Sequence, residues 1–123
     1  MLDHVGFAVS DYERSKAFYE RALAPLGFRL LMEFSGASAG FGRDDGIEFF
    51  VEAEGEPVRG RLHIAFSAET REHVDAFYAA AIEAGGIDNG PPGLRPVYHA
   101  DYYGGFVLDP DGNNIEAVCH EPA

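Results

Sequence analysis

Basic residues are scarce in this chain. Lys and Arg number 9 against 21 Asp and Glu, a formal net charge of −12 over 123 residues. So negative a surface repels phosphate backbones and anionic lipid headgroups, which argues against nucleic-acid partners and an acidic membrane surface. Cysteine is scarcer still. Cys119 stands alone, so an intrachain disulfide and a cysteine-based zinc site are both excluded. No uncharged apolar run approaches the roughly 18–20 residues of a membrane span. Met1-Leu2-Asp3-His4 is acidic within its first residues and lacks a basic segment, so no secretory leader is expected there. Low-complexity tracts are missing too. The composition, 46% hydrophobic and 24% charged, suits one folded domain of a reduced, cytoplasmic protein.

What the chain does have is an internal repeat. Leu2-Asp3-His4-Val5-Gly6-Phe7 matches Arg61-Leu62-His63-Ile64-Ala65-Phe66, and at the same offset Phe18-Tyr19 matches Phe77-Tyr78 and Gly27 matches Gly86. Two copies are too few for a solenoid, so they read as a duplicated unit, residues about 1–55 and 61–120. Each unit opens with an alternating strand, Asp3 to Ser10 and Leu62 to Ser67. A helix follows. Ser10-Asp11-Tyr12-Glu13 reads as a capping box for the first, and Thr70 as the N-cap of the second. Pro25 and Gly27 close one helix and Gly85-Gly86 the other. Shorter strands are expected over residues 28–34, 40–43 and 47–53, with Asp45-Gly46 as a turn. In the second unit they are expected near Val97, over 104–108 and over 114–119. Asp109-Pro110-Asp111-Gly112-Asn113 is the turn before the last strand. Residues 54–60 read as a linker and 88–96 as a rigid loop.

Strand parity then orients the polar residues. If the helices cover Val5, Phe7 and Val9 in one unit and Ile64 and Phe66 in the other, His4 and His63 lie on the opposite, inner faces. The last strands match as well. Asp45-Gly46-Ile47-Glu48 aligns with Asp111-Gly112-Asn113-Asn114-Ile115-Glu116 once a gap is allowed, so Glu48 and Glu116 also face inward. A carboxylate in an apolar sheet is costly unless paired or metal-bound. Two imidazoles with one or two carboxylates suit one divalent transition metal.

His4 in Leu2-Asp3-His4-Val5, His63 in Leu62-His63-Ile64-Ala65-Phe66, and the run Asp109-Pro110-Asp111-Gly112-Asn113-Asn114-Ile115-Glu116 together resemble the vicinal oxygen chelate superfamily. That group includes glyoxalase I, extradiol dioxygenases, and fosfomycin- and bleomycin-resistance proteins. The resemblance implies an α+β fold of two tandem βαβββ modules whose curved mixed sheets enclose a metal pocket. It implies His4, His63 and Glu116 as ligands of a zinc, nickel, iron or manganese ion. Glu48 matches the additional glutamate of glyoxalase I. It further implies a small-molecule substrate bound through adjacent oxygens, and a homodimer in which modules pair within or between chains.

With Glu48 as a ligand, Glu48 or Glu116 can leave the metal and act as the base of an isomerisation. Without it, two His and one carboxylate suit oxygen chemistry. Arg95, Tyr98, His99, Tyr102 and Tyr103 crowd one stretch that is expected to wall the pocket. There His99 is a candidate proton shuttle, Tyr103 a catalytic hydrogen-bond donor, and Arg95, Tyr98 and Tyr102 substrate contacts. Phe50 falls on the inner parity and is a further substrate contact. His120 shares that parity but lies close to the end of the chain, where a solvated tail is the competing reading. The alternative to a lyase, isomerase or dioxygenase is a non-catalytic drug-binding protein of the bleomycin-resistance type, whose cationic ligand the −12 charge would suit.

Overall fold

The computed structural model describes residues 1–44 and 46–123. Asp45 of the expected Asp45-Gly46 turn lies outside them. Strand β1 (Val5–Ala8) leads into helix α1 (Tyr12–Leu23), and β2 (Arg29–Phe34), β3 (Ser38–Gly42) and β4 (Phe49–Glu52) complete the first module. Strand β5 (His63–Ser67), helix α2 (Arg71–Glu83), β6 (Ile87–Leu94), β7 (Tyr103–Leu108) and β8 (Asn114–Cys119) repeat the pattern. The two sheets have matching orders, β1-β4-β3-β2 and β5-β8-β7-β6. In each, the first strand runs parallel to the last and the remaining pairs are antiparallel. The fold is α+β, with two curved, mixed, four-stranded sheets and one helix per module.

Local chemistry explains most boundaries. Asp11, not Ser10, caps α1, because its side chain accepts the Arg14 N–H at 3.2 Å. Thr70 caps α2 as the sequence predicts, accepting the His73 N–H at 3.1 Å. A 3-10 turn over Ala24–Leu26 ends the first helical segment at Gly27, whose φ of 86° is left-handed.

Two expectations fail in the second module. Residues 88–96, read as a rigid loop, contain most of strand β6. The segment near Val97, read as a strand, is a turn. Strand β6 is an edge strand paired only with β7, and its register slips on either side of Gly90. At such an edge the missing N–H groups of Pro91 and Pro92 are tolerated.

The core lies between helices and sheets and is continuous across the modules. Phe18, Tyr19 and Leu23 of α1 pack with Phe41, Phe49 and Val51, and Val74, Phe77 and Ala81 of α2 with Val107, Ile115 and Ala117. Phe66 joins the halves, with its ring 5.5 Å from that of Phe28 and 5.4 Å from that of Phe49.

The Asp109–Asn113 turn is a second joint. Asp109 Oδ1 accepts the N–H groups of Asp111 and Asn113, each at 2.9 Å, and Gly112 takes a φ of 83°. Its other oxygen accepts the Tyr19 hydroxyl from the first module. Asp111 accepts both the N–H and the hydroxyl of Ser10. Ser10 therefore bridges modules instead of capping its helix.

Candidate functional site

The inner face of the second sheet carries a connected polar group. Phe106 pairs with Glu116 across β7 and β8, and Ala65 pairs with Glu116 across β5 and β8. The small Ala65 leaves the carboxylate accessible to its neighbours. Glu116 is only 1% exposed, and both oxygens are bonded. His63 Nε2 lies 2.8 Å from Oε1, and the Tyr102 hydroxyl donates to Oε2. Gly104 makes this fit possible, since a Cβ there would lie 3.2 Å from both Glu116 Oε2 and the Tyr102 ring. Burial, and then the bond to Glu116, push the Tyr102 hydroxyl well above the ordinary tyrosine pKa, so it stays a donor.

Residues 95–102 fold back over β8 and bring further groups alongside. The Asp101 N–H donates to His99 Nδ1 at 3.1 Å. That places the His99 proton on Nε2, which faces His120 Nδ1 at 2.7 Å. The Tyr102 ring stands edge-on to both imidazoles and lies 4.8 Å from the Tyr98 ring. His120 is thus part of this cluster and not a loose tail. Its signal was the inner parity it shares with Glu116.

One expected site residue is placed elsewhere, and a second is held by neighbouring groups. The Tyr103 hydroxyl donates to Asp75 of α2 at 2.6 Å and the Arg71 guanidinium covers its ring, so it lies on the helix side of the sheet. The parity of β7, which puts Gly104 and Phe106 inside, requires this. Arg95 is held against strand β6 and the inner-facing Phe106. Its Nη2 donates to the Pro91 carbonyl at 2.7 Å, and the guanidinium stacks on Phe106.

The first module presents a separate group. His4 is exposed, and its Nδ1 lies 2.7 Å from Asp3 Oδ1, which leaves the Nε2 lone pair free. Its ring is 6.0 Å from that of Phe50, and both line a cavity with Phe34, Ser38, Gly40 and Ile47. Glu48 lies just before β4, about 42% exposed, with its carboxylate 3.7 Å from Arg43 Nε. His4 and Glu48 share a cleft with Ala65 and Ser67 of β5.

The expected ligands therefore fall into a His63–Glu116 pair and a His4, Glu48 half. Among the described residues, no three His, Cys, Asp or Glu side chains of one chain gather closely enough to hold a metal ion. The donors themselves fit one. His63 Nε2 and Glu116 Oε1 lie side by side on the inner face, hydrogen-bonded at 2.8 Å. A buried carboxylate with no Lys or Arg bonded to it is the kind of donor a cation satisfies.

Comparison with known proteins agrees with this fold. Solved structures resemble the chain along nearly its whole length. A glyoxalase/bleomycin resistance protein from Albidiferax ferrireducens is 33% identical with a TM-score of 0.82, and 99% of each chain is covered. A glyoxalase/bleomycin resistance protein/dioxygenase family enzyme from Burkholderia phytofirmans is 20% identical with a TM-score of 0.74, covering 97% of this chain and 98% of that one. A lactoylglutathione lyase from Agrobacterium tumefaciens shares the fold at 15% identity and a TM-score of 0.70, covering 97% and 92%. No curated protein matches the sequence. Residues 1–117 match a sequence family, and with the paired modules and the inward His63 and Glu116 they show that the chain belongs to the Glyoxalase/Bleomycin resistance protein/Dioxygenase superfamily.

Proposed function

We propose that this protein is a metal-dependent enzyme that binds adjacent oxygens of a small molecule and carries out lyase/isomerase or dioxygenase chemistry. The observation that carries this reading is Glu116, enclosed on the inner face and held by His63 and Tyr102 instead of by a lysine or arginine. His63 and Glu116, with His4 and Glu48, would hold one divalent ion. When bound, that ion supplies Lewis acidity toward the substrate oxygens.

The side chains divide the remaining work. Tyr102 keeps one Glu116 oxygen occupied and leaves the one facing His63. Asp3 accepts the Nδ1 proton of His4 and so directs Nε2 outward. Glu48, exposed and only loosely paired with Arg43, is the carboxylate free to accept a substrate proton. His99, hydrogen-bonded to His120 and open to solvent, passes protons between the pocket and water. Because the two halves of the ligand set stand apart within one chain, we place the complete site in a homodimer, each site drawing its halves from different chains.

The decisive experiment is metal analysis of protein purified without a chelating tag. Near-stoichiometric metal, lost in Glu116→Gln, is expected. Loss in Glu48→Gln as well assigns a four-ligand, isomerase-type site. Retention there assigns a three-ligand, oxygenase-type site. No metal after incubation with Fe(II), Mn(II), Ni(II) and Zn(II) would leave the non-catalytic, drug-binding reading in its place.

A further inference from the structure

The inner face of the first sheet contains a cavity of about 300 Å³ lined by His4, Phe34, Ser38, Gly40, Ile47 and Phe50. Two glycines seat its apolar walls. A Cβ on Gly6 would stand 2.2 Å from the Phe50 ring, so that ring rests directly on the glycine backbone. A Cβ on Gly40 would stand 2.6 Å from Ile47 Cδ1, so Ile47 likewise occupies space a larger residue would deny it. Phe34, at the cavity's edge, is 54% exposed. Large apolar side chains clustered around a hollow, on a chain of net charge −12, mark a binding surface.

The lining that this chain contributes is mainly apolar and aromatic. A volume near the lower end of ligand pockets admits a ring with a short substituent and is too small for a peptide segment. Aromatic rings gain from offset and edge-on contacts with Phe34, Phe50 and the His4 imidazole. Among the described residues, no Lys or Arg of this chain lines the cavity. The nearby Arg43 is paired with Glu48 and stacked on the Phe28 ring. Within this cavity the two carboxylates of a glutathione conjugate meet no guanidinium or ammonium group.

We infer that the body of the ligand is a small, uncharged aromatic ring seated among Phe34, Ile47 and Phe50, with its substituent toward His4. This rests on the reading that the inner face is the substrate site, and it names the substrate class for that site.

The test is fluorine NMR of 4-fluoroacetophenone titrated with the protein in excess chelator, with glutathione then added as a competitor. Working without metal separates this inference from the metal assignment, which the metal analysis decides on its own. Saturable broadening of the fluorine signal is expected, with no reversal on addition of glutathione. Phe34→Ser, an exposed change that leaves the core intact, is expected to weaken binding about five- to tenfold, the loss of one aromatic contact. Gly40→Val, checked for folding by circular dichroism, is expected to abolish it. Absent saturation with the aromatic probe, unchanged affinity in Phe34→Ser, or displacement of the probe by glutathione each overturns the inference.

Discussion

The carboxyl group of Glu116 is enclosed among apolar strands, and each of its oxygens depends on one donor. Replacing Tyr102 by Phe keeps the ring and removes a donor, leaving a buried oxygen unsatisfied. We expect a stability loss of about 1–3 kcal/mol in denaturant unfolding, together with a lower metal content. An unchanged midpoint would show that the hydroxyl does not hold the carboxylate.

Asp109 poses the complementary case. Burial raises its carboxyl above the ordinary 3.8, against the opposing effect of the Tyr19 hydroxyl and the turn N–H groups. The folded protein therefore holds this proton more tightly than the unfolded chain does. The residue's favourable contribution is full below the unfolded pKa and is lost as pH rises through the folded one. Thermal melts of Asp109→Asn and the native protein from about pH 3 to about pH 6 should show the difference moving in favour of the variant as pH rises. A flat difference would exclude the assignment.

At the scale of elements, capping chemistry and edge position decide what forms. Asp11 caps α1 while Ser10, the expected cap, is drawn away to Asp111. Asp11→Ala is expected to cost about 0.5–2 kcal/mol in thermal or denaturant unfolding. A loss confined to Ser10→Ala would reverse the assignment. Strand β6 shows the limit of reading turns from composition. Asn89-Gly90-Pro91-Pro92-Gly93 has every local property of a loop. Pairing with β7 and a slipped register recruit it into the sheet, and that pairing partner is supplied only by the fold. Conversely, of the crowded stretch 95–102, expected to wall a pocket, Tyr102 reaches Glu116 and His99 reaches His120. Arg95 and Tyr103 at its ends are turned to other partners.

For the whole molecule the open question is how the His4 and His63 halves meet. A site built from two chains makes a specific prediction. His4→Ala and His63→Ala proteins should each lose metal, and after co-refolding each mixed dimer should recover one site, read by metal analysis of the mixture. Failure of the mixture to recover any metal, with both variants folded and dimeric, would place the site within one chain.

The repeat, the helix and strand periods and the inward set of His4, His63 and Glu116 were all legible from residue order. They follow from local rules: side chains alternate along a strand, helices bury one stripe, and duplicated units keep equivalent positions equivalent. Which groups touch was not legible. The bond from Tyr102 to Glu116, the His99–His120 pair and the engagement of Arg95 all require residues 95–102 to fold back across β8. The glycines at 6, 40 and 104 act only through the ring, side chain or carboxylate that comes to rest beside them. Those are contacts between distant parts of the chain, set by packing and not by sequence period, so the tertiary structure alone decided them.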